Sequence, residues 1–415
     1  MGSLFRERDF RLLFVGQGIS AVGTAVSYVA LPLIAVSALD AGPFEVSLIT
    51  AAGYAAWLVV GLPFGVYVDR RRRRPLLILA DLGRAALLAT VTTAALAGAL
   101  TIAHLVAVAL LAGALSVLFD VAYPAYLPAI IPKDRLVDGN GKLFATESAA
   151  NVGGPGLGGA LLQAVGAAGT VLVDVVSFLV SAATLLMIRG PEPAAREAET
   201  NVRRDLAEGL RYTFGRPFTR AVLGAGVLGN FVFGGYAAVV VVFLYDTLGL
   251  SEALVGLLLG LASAGAVVGS LAAAKLGRAI GDARLIWIAP STYLLSGGLI
   301  VLAAPGWRLA LFAAGGFGIS AGIGVFNVCV RAALQSSVPG ELLGRTTASL
   351  RLFTRGTLPI GALAAGALAS VTSPRITITV LMVVVLLCPL WLRMSPVGRV
   401  RTIGELTDVP DRVLP

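Results

Sequence analysis

Charge is scarce in this chain. Asp, Glu, Lys and Arg make up 13% of its 415 residues, against 57% hydrophobic. Soluble domains carry about 25% charged residues, so the composition excludes a large water-soluble core and implies a polytopic membrane protein. Histidine is nearly absent: His104 stands alone, which leaves no His-rich metal site and little for a His-based triad. The two cysteines, Cys329 and Cys388, sit apart inside apolar runs and form neither a CxxC pair nor a disulfide framework. Nucleotide loops are missing as well. In the stretch ending Gly139-Asn140-Gly141-Lys142, Leu136 stands where a Walker loop needs its first glycine, and Leu143 where it needs Ser or Thr. Residues 151–159 satisfy G-x-G-x-x-G, but no strand precedes them and the run is of membrane length. No metal, no cofactor and no enzyme chemistry are therefore expected.

What is present is a series of long apolar runs, at roughly 12–38, 44–68, 75–99, 102–124, 143–167, 169–189, 218–245, 251–276, 284–304, 308–331, 346–370 and 375–395. A run of about 20 apolar residues spans a bilayer as a helix. The polar opening leads into a run long enough to stay in the membrane, so no cleaved signal is expected. The formal charge of +9 could suggest nucleic acid, but its positions answer the question. Of the 32 Lys and Arg, 29 fall in segments that a twelve-span count puts on one side. Arg308 and Arg375 fall on the other, and Arg84 lies within span 3. Short loops rich in Lys and Arg stay cytoplasmic. Twelve spans with both termini inside a plasma-type membrane are thus predicted, with lipid rather than nucleic acid as the partner.

Residues 190–217 form the one long polar insertion, and Val202, Leu206 and Leu210 are spaced for a helix over 201–214 lying on the inner membrane face. The insertion divides the chain into a six-helix bundle (1–189), a cytoplasmic linker (190–217), a second six-helix bundle (218–395) and a tail (396–415). The halves read as a duplicate. Ile130-Ile131-Pro132-Lys133-Asp134 is echoed by Ser337-Val338-Pro339-Gly340-Glu341, and Pro155 in span 5 by Pro359 in span 11. Paired halves are the mark of alternating-access transporters, with the site between them near the midplane.

Between spans 2 and 3 stand Gly65, three residues, Asp69-Arg70, and then Arg73-Arg74. This order resembles the Gly-x-x-x-Asp-Arg-x-Gly-Arg-Arg loop of the major facilitator superfamily of secondary transporters, with Arg72 at the usual second glycine. Only a decayed copy exists in the second half, Ala274-Lys275-Leu276-Gly277-Arg278, with alanine in place of the aspartate. In span 5, Gly154-Pro155-x-x-Gly158-Gly159 is similar to the motif of proton-coupled exporters in that superfamily; it also suits a plain helix-packing seam. Asp81-Leu82-Gly83-Arg84, Phe119-Asp120, Glu208-Gly209-Leu210-Arg211-Tyr212 and Gly344-Arg345 resemble the branch that holds macrolide-efflux proteins and the enterobactin exporter.

The resemblance implies an all-α fold of two pseudo-symmetric six-helix bundles and proton-coupled export of an amphiphilic small molecule, such as an antibiotic or secondary metabolite, by a monomer. A siderophore or lipid-like substrate is the alternative within transport, and a membrane scaffold or receptor the alternative outside it. It further implies a latch in which Asp69 meets the start of span 11. Charges inside spans cost about 2.5–3.5 kcal/mol each on insertion scales, so each calls for a reason. Asp81 and Arg84 share a helix face and either pair with each other or join Asp120 in an inner-gate network. Glu147, on one face with Asn151, is a candidate proton carrier or a partner for Lys142 or Arg135, with Asp120 next. Asp174, near the outer end of span 6, is expected to face water. Gln17, Asn151, Asn230, Tyr236, Asn327, Arg351 and Arg355 are candidates for lining the cavity.

Overall fold

The computed structural model describes residues 4–190 and 202–407, and among them there are helices and turns but no strand. In a bilayer, every backbone polar group must be satisfied within the span, which leaves an apolar run of this length no alternative to the helix. Eleven helical stretches among the described residues are long and apolar enough to cross a membrane. The fifth, Leu136–Met187, has 52 residues. At 1.5 Å per residue that is about 78 Å, over twice the hydrocarbon thickness of roughly 30 Å. It breaks at Gly166, whose φ of 70° and ψ of −176° no helix contains. Only glycine takes that conformation without strain, and the chain turns there into span 6. The twelve predicted runs are thereby matched.

Turn chemistry sets the other ends. Pro43 opens span 2 (Pro43–Asp69), where Glu45 accepts the Gly42 N–H at 2.8 Å. Thr101 accepts the His104 N–H at 3.2 Å ahead of span 4 (Ile102–Ile130). Ser373 does the same for Ile376 at 3.2 Å ahead of span 12 (Pro374–Val384 and Leu387–Met394). Large apolar side chains stand outside: Val371 is 79% exposed and Leu271 77%. A surface of that kind suits lipid, not water.

The chain forms two compact units, Met1–Glu199 with Leu244–Gly260, and Thr200–Phe243 with Leu261–Pro415. The segment from Leu244 that follows span 7 (Pro217–Val242) and the first turns of span 8 (Glu252–Ile280) thus belong to the first unit, although sequence order puts them in the second half. In the first unit, bulky residues such as Leu4, Phe10, Leu13, Leu77, Tyr126 and Ile131 make a core with the ends of spans 3, 4 and 6. Asp9 ties the N-terminus down by accepting the Gly190 N–H at 2.8 Å, and Glu7 pairs with Arg135 at 2.8 Å. The second unit's core is of smaller residues, with Ala225, Ala283, Ala289, Cys329 and Ala333 among spans 7 to 10.

The linker helix Val202–Gly215 exists as the spacing predicts, with the side chains of Val202 and Leu206 and the whole of Asn201 outside the described residues. It is held by protein within the second unit. Glu208 takes Arg204 at 3.0 Å and pairs with Arg345 at the start of span 11 (Gly340–Val371). A Cβ on Gly209 would come within 2.6 Å of Ser349 Oγ, and Tyr212 donates to the Ser337 carbonyl at 3.3 Å.

Candidate functional site

Among the described residues, three charges lie inside the first unit. Asp81 is 0% exposed, Asp174 1% and Arg84 5%. Asp81 and Arg84 sit three residues apart on span 3 (Arg73–Leu96) and form a direct ion pair. The Arg84 guanidinium lies 4.1 Å from the Phe178 ring centre and 4.7 Å from that of Phe119, and donates to Ser116 at 3.4 Å. Aromatic faces attract a desolvated cation, so the arginine is held by spans 4 and 6 as well as by its own aspartate. Asp174, on span 6, accepts hydrogen bonds from Ser27 of span 1 (Arg8–Leu39) and from Ser177 at 2.8 Å. The expectation that Asp174 faces water is therefore overturned. Depth along the span does not fix the direction of the side chain, and Asp174 turns into the bundle. Gly23 makes the room, because a Cβ there would run into Asp174 and Ser177. Asp120 is exposed on span 4, while its neighbour Phe119 turns inward under Arg84.

The arginine loop has a local structural task. Arg74 Nε donates to the Leu185 carbonyl at 2.8 Å and its Nη2 to Leu186 at 2.6 Å. Cations at a helix C-terminus satisfy its free carbonyls and its dipole, so Arg74 fastens the loop to the end of span 6. Arg70 is exposed and Arg73 half-buried, while the side chain of Asp69 lies outside the described residues. A Cβ on Gly65 would meet nothing. In the second unit the decayed copy rims a cavity of about 650 Å³ lined by Gly277, Arg278, Asp282, Cys329 and Arg401. The chain's own tail reaches it: the Ile403 N–H donates to Asp282 at 2.9 Å.

Span 5 carries the tightest seam of the first unit. Toward span 1, a Cβ on Gly158 would come to 2.8 Å from the Val26 carbonyl oxygen, and one on Gly154 would overlap Ala25. Toward span 8, Gly159 faces Glu252 and Gly256, while Gly256 faces the Pro155 carbonyl, and a Cβ on Gly260 would reach Val152 O at 2.6 Å. Gln163 accepts the Ala253 N–H at 3.3 Å and so caps the start of span 8. Small residues let backbones approach in this way. The partner glycines were legible in principle, since Gly256-x-x-x-Gly260 has the spacing of a helix-packing face.

The remaining candidates are spread out. Glu147 and Asn151 are exposed. Gln17 donates to Ser181 at 3.4 Å, and Asn230 to the Gly226 carbonyl of its own helix at 2.8 Å. Tyr236 is half-buried, Asn327 and Arg351 are exposed, and Arg355 is half-buried with bonds of its own. A polar pair that the sequence did not disclose joins span 1 to span 2: the hydroxyls of Tyr28 and Tyr54 lie 2.8 Å apart on an exposed face.

Comparison with known proteins agrees with this architecture. The chain is 24% identical over 383 residues to YfiS, an uncharacterized MFS-type transporter of Bacillus subtilis (strain 168), covering 88% of each. It is 23% identical over 226 residues to macrolide efflux protein A of Streptococcus pyogenes, covering 54% of this chain and 56% of that one. Among solved structures, a bacterial homologue of the iron transporter ferroportin superposes with a TM-score of 0.76 at 18% identity, over 94% of this chain and 98% of that one. The nucleoside transporter NupG gives 0.70 at 9% identity, over 92% and 98%. The structural likenesses are of fold. The model of the Major Facilitator Superfamily matches residues 13–358, and the chain, a multi-pass secondary transporter and not an enzyme, belongs to that family.

Proposed function

We propose that this transporter is a proton-coupled exporter of an amphiphilic small molecule, antibiotic or secondary metabolite, working by alternating access as a monomer in a plasma membrane, with its termini and linker cytoplasmic. The observation that carries the reading is the span 5 seam. Glycines 154 and 158 lie against span 1 and Gly159 against span 8, at backbone distance, around the buried Pro155. Backbones in contact without intervening side chains can slide or bend with little repacking, and the motif has the form found in exporters. The half-length similarity to a macrolide efflux protein supports the direction and the substrate class. One charge crossing 100 mV yields about 2.3 kcal/mol, enough for a roughly 50-fold gradient. The proton is assigned to Glu147, exposed beside Asn151 on span 5, with Asp120 second. Asp69, Arg70 and Arg73 act as a gating loop in this reading, with Asp81, Arg84 and Asp120 at the inner gate. A second reading, export of an anionic siderophore-like compound, is favoured by Arg351 and Arg355, which lie one turn apart on span 11, the first of them exposed.

The test is a pump-deficient bacterial host expressing the chain, screened against macrolides and other amphiphiles with and without an uncoupler. Raised resistance that the uncoupler abolishes is expected; unchanged susceptibility to every compound counts against export. Glu147→Gln is expected to keep substrate binding and lose uphill efflux. Normal uphill efflux in that variant transfers the coupling role to Asp120.

A further inference from the structure

The buried cluster of the first unit has a charge that does not balance. Asp81 and Asp174 are carboxylates, Arg84 is one guanidinium, and all three are at most 5% exposed inside a membrane-spanning bundle. Among the described residues, the side chains that reach them from the neighbouring spans are neutral: Ser27 from span 1, Ser116 and Phe119 from span 4, and Ser177, Phe178 and Ser181 from span 6. Arg84 is committed to Asp81. The hydrogen bonds that Asp174 accepts come from hydroxyls alone, and Ser177 divides its single proton between the Asp174 carboxylate and the Asp174 carbonyl, each at 2.8 Å. Asp81 Oδ2 is buried and has no hydrogen-bond partner, and neither has Arg84 Nε. An isolated ion in such surroundings is too costly to persist, and the site takes up a counter-charge instead.

We propose that this cluster binds one proton, held on Asp174 and shared with Ser27. Packing selects a proton over a metal ion. The Ser27 hydroxyl is already in direct hydrogen bond with Asp174 Oδ2, and a single Cβ on Gly23 would collide with the other carboxylate oxygen. There is no space for an ion with a shell of oxygens at 2 Å or more. A protonated Asp174 donates to the Ser27 Oγ, Ser177 then serves the other oxygen, and the cluster becomes neutral. The assignment concerns where a proton resides in the first unit. It holds whatever compound is transported and whichever exposed carboxylate couples its movement.

The experiment is infrared spectroscopy of the purified full-length protein in lipid nanodiscs at neutral pH, in water and in heavy water, reading the carbonyl band of a protonated carboxyl group. Wild type is expected to show a band that shifts in heavy water, that Asp174→Asn removes and that Glu147→Gln leaves in place. Asp81→Asn is the second variant, and it leaves Asp174 untouched. With one carboxylate gone the remaining one balances Arg84, so the band is expected to disappear there too. Absence of the band in wild type, its persistence in Asp174→Asn, or its persistence in Asp81→Asn would each overturn the proposal. So would displacement of the band by sodium at constant pH.

Discussion

The two units share a way of packing and differ in what they bury. In the first, Gly154 and Gly158 set span 5 against the backbone of span 1 at Ala25 and Val26. In the second, Gly361 sets span 11 against Phe231 of span 7, and Gly234 meets Leu358 from the other side, beside Pro359. The seam is thus duplicated along with the proline. Buried charge is not. Asp81, Arg84 and Asp174 lie in the first unit, whereas the second, among the described residues, buries only hydroxyl groups, including Thr219, Ser296, Thr346, Ser349 and Thr377. A fold of this kind therefore stands without internal charges. Since each costs free energy to insert, the three in the first unit answer to something other than the architecture.

The strongest way to break this contrast is Arg84→Gln. Asp81 would be left in the bundle without its cation, and stripping one partner from a buried pair costs about 3–5 kcal/mol. A clear fall in the thermal unfolding temperature in detergent is expected. Replacing Asp81, Arg84 and Asp174 together by apolar residues of similar volume should recover most of that loss. Full recovery of transport in the same triple variant would reduce the cluster to scaffolding.

The shared seam comes next. Gly158→Leu drives a side chain into the Val26 carbonyl, and overpacking of this kind costs about 1–3 kcal/mol. The variant is expected to insert into the membrane yet lose efflux, and Gly361→Leu should do the same in the second unit. Tolerance at Gly361 with loss at Gly158 would mean that the two seams are copies in shape but not in use.

A smaller effect is expected at the loop, present in the first unit and decayed in the second. Asp69→Asn should slow export up to about tenfold, the ratio that corresponds to 1.4 kcal/mol of bias between two states, with substrate binding kept. Ala274→Asp should not rescue it. An unchanged export rate in Asp69→Asn would leave the arginines as a topology signal with Arg74 as its anchor on span 6.

The smallest effect concerns the linker helix. The hydrogen bond from Arg204, with Arg345 beside it, holds Glu208 below the usual carboxylate range. A lowered value in the folded state means that the clasp contributes at neutral pH and is lost as pH falls through that value. Protection of the amides in 204–215, taken relative to their intrinsic exchange at each pH, is expected to fall only in acid, and Glu208→Gln should lower it at neutral pH and remove its pH dependence. Exchange that is already fast at neutral pH in the wild type would contradict the docked helix.

Most of the span architecture was legible in advance. Twelve crossings followed from run length, and the arginine positions agreed with the count, because lipid enforces both rules on any sequence. The packing role of Gly154 and Gly158 could be read because small residues in a span have few other uses. The task of Arg74 could not, since the Leu185 and Leu186 carbonyls it meets lie 111 and 112 residues away. Nor could the pairing of span 5 with span 8: the Gly256-x-x-x-Gly260 spacing marks a packing face, but not that its partner is a helix from the other half of the chain.

By itself, then, the sequence determined that this chain is helical and that it carries eleven or twelve runs able to cross a membrane. These are matters of composition and local order, where each residue answers to lipid or to its neighbours within a turn. Only the tertiary structure decided which way the charges point. Asp174 and Glu147 are both single carboxylates in apolar runs. One is 1% exposed among spans 1, 3, 4 and 6, and the other stands at the surface. The difference arises from side-chain direction around a helix and from the space that Gly23 leaves on a neighbouring one. A carboxylate's surroundings are set by groups far away in sequence, and those are brought together by packing alone.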